Sequence, residues 1–422
     1  MTPTSPIARR QRLLLALCGL SAVAGGVLGA HTPLLAAAWA FQALVGWWAG
    51  VLALQMALAQ QGNRRAWRQH LQRRDGTGPR IAHTAQPQAA EATAATPASH
   101  AGSAPGAAPG AAQGGSASRM APASAPSPSG TALGAPDPHD RQDPLHPATR
   151  LVAVRAWLWS CWAAPAVFFW RQPFREGRWP DLLPQATAGH AGAPQASRGA
   201  PDTPSGQPVR RDVPDMPDQR QAQRAVLFVH GFVSNRGFWN PWLQRLTAEG
   251  APFMAVSLRQ PFAPLDTQAA ELSAAVDHVI ATTGQPPLIV AHSMGGLVVR
   301  AWLRHEARSG LRWPDRVHRV ALIATPIAGT GLARWALGPL GAQMRRAEDG
   351  GHWVTRLNAD LDALAIPRQL FACWASNTDN MVFPAHTALL AGADSHVHRG
   401  VPHVPLAHHP AVMRAVLTLR HG

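Results

Sequence analysis

A serine set among small residues, Ala291-His292-Ser293-Met294-Gly295-Gly296, is the clearest reactive group in the chain. It fits the pattern G-x-S-x-G with alanine at the first glycine position. The apolar run Pro287–Ala291 enters it and the helix-compatible run Gly295–Glu306 leaves it. A strand that turns abruptly into a helix presents the residue at the bend and aims helix N–H groups at it. Small neighbours are needed because larger side chains would collide in so sharp a turn. Ser293 is therefore the expected nucleophile, and acyl transfer the expected chemistry. A second signal closes an earlier apolar strand, V-L-F-V-H-G-F at 226–232. The backbone N–H of Phe232 in that loop, with the N–H of Met294 after the nucleophile, is expected to hold the oxyanion. His230 and His292 read as structural, with His292 facing away along its strand.

The order of the remaining motifs adds to this. After H-G-F and A-H-S-M-G-G come A-T-P-x-x-G-T at 324–330, T-D-N-M-V-F-P at 378–384 and G-V-P-H-V-P-L at 400–406. On these residues the region 224–421 resembles an alpha/beta-hydrolase of the bacterial lipase/esterase kind. The resemblance implies a Ser-His-Asp triad in the chain order serine, acid, histidine. Asp379 takes the acid position, with Asp394, Asp360 and Asp362 as competitors. His403 takes the base position, with His398 and His408 as alternatives. In the resembled family the segment matching 329–357 forms a cap or substrate wall, so Leu332, Trp335, Leu337 and Leu340 are expected to line an acyl pocket. No cofactor is implied. The histidines at 396, 398, 403, 408 and 409 lack the H-x-x-x-H-on-a-helix spacing of a zinc site, so no metal is expected.

These residues need a scaffold, and the elements needed are legible. Strands are expected at 225–229, 252–258, 287–291, 317–324 and 369–375, with a short sixth before Val401. Helical stretches lie between them and after Pro410. Strands alternating with helices predict an α/β fold, a mainly parallel sheet flanked by helices, over a catalytic domain at 223–422.

The N-terminal half reads differently. Leu13–Ala30 and Leu34–Ala59 are apolar runs separated by His31-Thr32-Pro33, each long enough to span a bilayer as a helix. They predict a transmembrane helical hairpin within residues 1–74. A signal peptide ending near Ala30 is the rival reading. Arg9, Arg10 and Arg12 precede the hairpin, and Arg64, Arg65, Arg68, Arg73 and Arg74 follow it. Arginine at both ends places both on the cytoplasmic side of a bacterial inner membrane, and the catalytic domain with them. Residues 75–146 and 180–222, rich in Ala, Pro, Gly and Ser, read as disordered linkers. The apolar, aromatic stretch 147–179 between them reads as a helix at the membrane interface or over the catalytic domain. Arg155 and Pro165 argue against a simple third span.

The net charge of +15 comes from a chain whose 38 basic residues are all arginine. They are dispersed and accompany no nucleic-acid module, so no nucleic-acid partner is expected. Cys18, Cys161 and Cys373 form no disulfide or zinc spacing. The membrane tether beside an apolar acyl pocket makes an apolar or lipid-like ester the expected substrate. An acyltransferase, a thioesterase and a non-catalytic scaffold are the alternatives on the same fold.

Overall fold

The computed structural model describes residues 5, 8–13, 16, 33–74, 143, 145–184 and 223–421. Its centre is a six-stranded sheet in which every pairing is parallel. Helix α1 runs Pro33–Arg74, and α2 runs Arg150–Pro165. The sheet and its helices then follow: β1 Val226–Val229, α3 Asn240–Glu249, β2 Phe253–Ala255, α4 Leu265–Thr283, β3 Leu288–His292 and α5 Met294–Arg308. After these come β4 Arg319–Ile323, α6 Gly338–Gln343, α7 Trp353–Ala363, β5 Phe371–Ser376, β6 Asp394–His398, α8 His403–Ala407 and α9 Pro410–Thr418. The strands lie in the order β2-β1-β3-β4-β5-β6. Each expected strand is present.

Period-two alternation along the strands builds the two cores. Leu227, Val229, Ile289, Ala291, Val320 and Leu322 face the layer of α4, α5 and α7, where Leu272, Leu297 and Trp302 are buried. Val226, Phe228, Leu288, Val290, Ala321 and Ile323 face the opposite layer, filled by Trp239, Trp242 and Val412. Apolar residues on both sides of each strand are what a parallel sheet covered on both faces requires.

The N-terminal segments are packed onto this sandwich. α1 continues fifteen residues past the expected end at Ala59. Leu52, Met56, Ala59, Gln60 and Asn63 on it are buried. The expected second span thus gives its C-terminal part to the protein interior. The first run, 13–30, lies almost wholly outside the described residues, as do the two expected linkers.

Residues Arg150–Phe174 form one helical run of 25 residues. Among the described residues it alone is long and apolar enough to cross a membrane by length and composition. Pro165 interrupts it. A proline removes an N–H and crowds the preceding turn, and the chain relaxes into a wide π turn over Ala166–Arg171. One face of this run carries buried Ala156, Ser160, Ala164 and Val167, while Leu151, Trp159, Trp162 and Trp170 are exposed. The Trp157 indole donates to the Ala49 carbonyl at 3.1 Å and ties α2 to α1. Beyond it, Leu182 pairs antiparallel with Phe253 and covers the outer edge of β2.

Trp242 illustrates the packing: it is fully buried and its indole N–H donates to the Ala407 carbonyl at 2.7 Å. Trp242→Ala should destabilise the protein by about 3–5 kcal/mol, read as a lower denaturation midpoint. A midpoint unchanged from the parent would contradict this account of the α3–α8 contact.

Candidate active site

Ser293 stands between β3 and α5 with φ +57° and ψ −129°, a backbone region that residues other than glycine rarely occupy. The chain holds it there from both sides. Its N–H donates to the Ile323 carbonyl at 2.8 Å, and its carbonyl accepts from Gly296 at 3.0 Å. The expected need for small neighbours is met in detail. A Cβ on Gly295 would collide with the His230 carbonyl, one on Gly296 with the Thr325 hydroxyl, and one on Gly231 would lie 3.0 Å from Ser293 Cβ.

His403 opens α8 and lies beside this serine, its Nε2 3.0 Å from Ser293 Oγ. Its Nδ1 is 2.8 Å and 3.0 Å from the two carboxylate oxygens of Asp379. A carboxylate can only accept, so Nδ1 carries the proton and Nε2 turns its lone pair to the hydroxyl. Asp379 lies in the loop after β5 and is 2 % exposed; His403 is 4 % exposed. The N–H groups of Met381 and Val382 donate to Asp379 Oδ1 at 2.8 and 2.7 Å and fix the carboxylate. Met294 opens α5, where N–H groups lack intrahelical acceptors, and Phe232 follows Gly231 in the loop after β1.

The competing residues are engaged elsewhere. Asp394 pairs with His396, Asp360 with Arg304 and Arg308, and Asp362 with Arg368. His398 packs on His409. His408 is half-buried against Phe238 with both ring nitrogens shielded from solvent, and their desolvation pushes its imidazole down to about 3. His230 accepts from the Leu258 N–H at Nε2 and donates from Nδ1 to the Gly231 carbonyl, which fixes it as a neutral tautomer. Burial pushes it down to about 4, against the opposing effect of its backbone hydrogen bond. His292 departs from expectation. It does not turn away from the site but stacks on Phe238 and lies tilted against His403, each 4.6 Å from its ring. Burial, with neighbouring histidines adding to it, holds its imidazole well below the usual range.

A cavity of about 740 Å³ opens over Ser293 and His403. Its walls are not those expected. Of the residues after Gly329, Leu337 is 94 % exposed, Trp335 is exposed and Leu340 is buried in the core. The chain turns back at Gly329, whose φ is +83°, and Thr330 braces the acid loop through the Met381 carbonyl at 2.6 Å. None of Leu332, Trp335, Leu337 and Leu340 lines the cavity. Its lining comes instead from Trp48, Val51 and Leu52 of α1, Phe168 and Phe169 of the run after α2, and Phe232, Met381 and Val404 of the catalytic domain. Sequence reasoning missed the α1 residues. The available signal was Gln55 inside the apolar run, followed just past its end by Gln60 and Asn63.

Comparison with known proteins agrees on the fold. A family model described as the alpha/beta hydrolase fold matches residues 224–360, and the six-stranded parallel sheet with its flanking helices has that architecture. The comparison with curated proteins finds no match. Among solved structures, the Bacillus licheniformis lipase BlEst2 in mature form is similar at 18% identity and TM-score 0.38, over 50% of this chain and 96% of that one. Aspergillus fumigatus lipase B is similar at 16% identity and TM-score 0.39, over 48% of this chain and 54% of that one. The Bacillus subtilis naproxen esterase is similar at 15% identity and TM-score 0.30, over 46% and 83%.

The buried neutral histidines make the fold acid-sensitive. Their folded values lie below the unfolded one, so the stability they allow is complete above about pH 6.5 and is lost as pH falls toward 4 for His230 and 3 for His408. His408 alone should cost roughly 2 kcal/mol at pH 5 relative to pH 8. His408→Leu should flatten the fall in melting temperature between these values; an equally steep fall would refute the assignment.

Proposed function

We propose that this protein is a serine carboxylic-ester hydrolase with Ser293 as nucleophile, His403 as base and acid, and Asp379 as the residue that orients His403. The observation that carries the reading is the continuous line from carboxylate to imidazole to hydroxyl, 2.8 and 3.0 Å per link, ending at a strained turn.

The steps follow from that line. His403 Nε2 removes the Ser293 hydroxyl proton as Oγ attacks the ester carbonyl carbon. The carbonyl oxygen becomes an oxyanion and takes hydrogen bonds from the N–H groups of Phe232 and Met294, an interaction whose loss costs enzymes of this kind about 10²–10³ in kcat per donor. As the tetrahedral intermediate collapses, the C–O bond to the alcohol breaks and Nε2–H protonates the departing oxygen. Water then loses its proton to His403 and attacks the acyl-enzyme. A second tetrahedral intermediate releases the carboxylic acid and returns the proton to Oγ. Asp379 stays ionised and stabilises the imidazolium in each half-reaction. The apolar walls of the cavity support an ester with an apolar acyl group, of the kind found in lipids.

The membrane location belongs to the same proposal. Exposed Trp47 and Leu54 on α1 and Leu151, Trp162 and Trp170 on the α2 run give the N-terminal half an apolar outer surface. With the apolar run from 13 to 47 and the arginines on either side of it, this surface supports attachment to the bacterial inner membrane with the catalytic domain in the cytoplasm.

A serine-directed alkylphosphonate should label the folded, full-length protein at Ser293. Ser293→Ala should abolish both adduct and ester turnover, and Asp379→Asn should lower kcat by roughly 10³–10⁴. A folded protein without a Ser293 adduct refutes the hydrolase reading. For topology, a reporter inserted after Arg74 should give a cytoplasmic signal; a periplasmic signal overturns the orientation.

A further inference from the structure

The wall of the cavity opposite Ser293 is N-terminal sequence, and it is pinned in place. On α1, Trp48, Leu52, Met56, Ala59 and Asn63 recur at intervals of three and four, which sets them on one face of the helix. The upper part of that face lines the cavity through Trp48, Val51, Leu52 and Gln55. The lower part grips the loop that carries Asp379. Gln60 Nε2 and Asn63 Nδ2 both donate to the Asn377 carbonyl, at 3.3 and 3.1 Å. Asn63 Oδ1 accepts from the Ala385 N–H at 2.8 Å, and Gln55 Oε1 accepts from Asn380 Nδ2 at 3.0 Å. Gly62 lets the helix close on Phe383, whose ring would lie 3.0 Å from a Cβ there.

The run after α2 does the same for the loop that carries Phe232. Gln172 Nε2 donates to Ser234 Oγ at 3.2 Å, and Asn235 Nδ2 donates to the Gln172 carbonyl at 3.0 Å. Gly237 admits the Arg171 carbonyl, which would stand 2.8 Å from a Cβ. The two segments also meet each other, with Trp48 and Phe169 ring centroids 5.4 Å apart. A lid held by apolar contact alone can slide. Moving this wall would break four side-chain hydrogen bonds to the Asp379 loop at once.

We propose that α1 and the run after α2 are a fixed acyl-binding wall: Trp48 and Leu52, with Phe168 and Phe169, set the length of acyl chain that Ser293 accepts. Gln60 and Asn63 are positioning residues that keep this wall and the Asp379 loop in register. The proposal rests on the ester-hydrolase reading and adds to it the determinant of chain length. It also makes the catalytic domain at 223–422 incomplete without the N-terminal helices.

The test uses the full-length protein in a nonionic detergent, with p-nitrophenyl esters from butyrate to palmitate. Leu52→Trp narrows the cavity and should lower the ratio of kcat/KM for palmitate to that for butyrate at least tenfold. Trp48→Ala widens it and should raise the same ratio at least threefold. A general loss of folding cannot move the ratio in opposite directions, and if Leu52→Trp does not fold, Trp48→Ala decides alone. Asn63→Ala should lower kcat for butyrate at least tenfold, leave KM within about twofold and move the midpoint of the pH–kcat profile. Unmoved ratios in a protein whose Ser293 accepts the phosphonate overturn the wall. An unmoved kcat and midpoint overturn the positioning role. A wild-type Ser293 that takes no phosphonate overturns the hydrolase reading beneath both.

Discussion

Everything at the site follows from how closely α5 can approach the ends of β1 and β4. Ser293 is lifted out of the sheet because the chain reverses at a positive φ and starts a helix at the next residue. The helix can start there only because Gly295 lies against the His230 carbonyl and Gly296 against Thr325. A single methyl group at either position would push α5 away from the sheet, move the Met294 N–H and lengthen the distance from Ser293 Oγ to His403. The strain at Ser293, of order 1–3 kcal/mol for such a backbone conformation, is held by a fully buried surround: Met294, Leu297 and Val298 on one side of the sheet and Val290 and Ile323 on the other.

Around this rigid turn, the two loops that complete the site are held by long-range contacts. The acid loop is held by Thr330 from within the domain and by Gln60 and Asn63 from more than 300 residues earlier. The loop bearing Phe232 is held by Gln172, Asn235 and Gly237 against the end of the α2 run. His292 adds support beneath the imidazole, since its ring packs against both Phe238 and His403. Kept neutral by burial, it adds no positive charge beside the His403 ring.

The sequence was most legible where the chemistry is local. The nucleophile turn spans six residues, and its glycines say what they are for. The strands could be read because apolar runs alternate with helical stretches in an unbroken order, and the order of motifs pointed to Asp379 and His403, which the fold brings beside Ser293. The cavity wall was not legible in the same way. A leucine after Gly329 and a leucine on α1 look alike as residues; the fold leaves Leu337 exposed and sets Leu52 in the cavity lining. An apolar run such as 34–59 satisfies a bilayer and a protein interior equally well. Gln55, together with Gln60 and Asn63 just past the run, distinguishes the two, because amide side chains on one helical face need partners and the acid loop supplies them.

The short pairing of Leu182 with Phe253 reaches beyond the site. β2 ends the sheet on one side, and an open strand edge there would present unpaired backbone groups to any extended chain nearby. Leu182 occupies that edge with two backbone hydrogen bonds, and Asp181 Oδ1 accepts the next one from Ala255 at 3.0 Å. At the other margin β6 carries Asp394, Ser395, His396 and His398 in place of an apolar face. Both borders of the sheet are thus poor templates for strand addition, a protection against edge-to-edge aggregation.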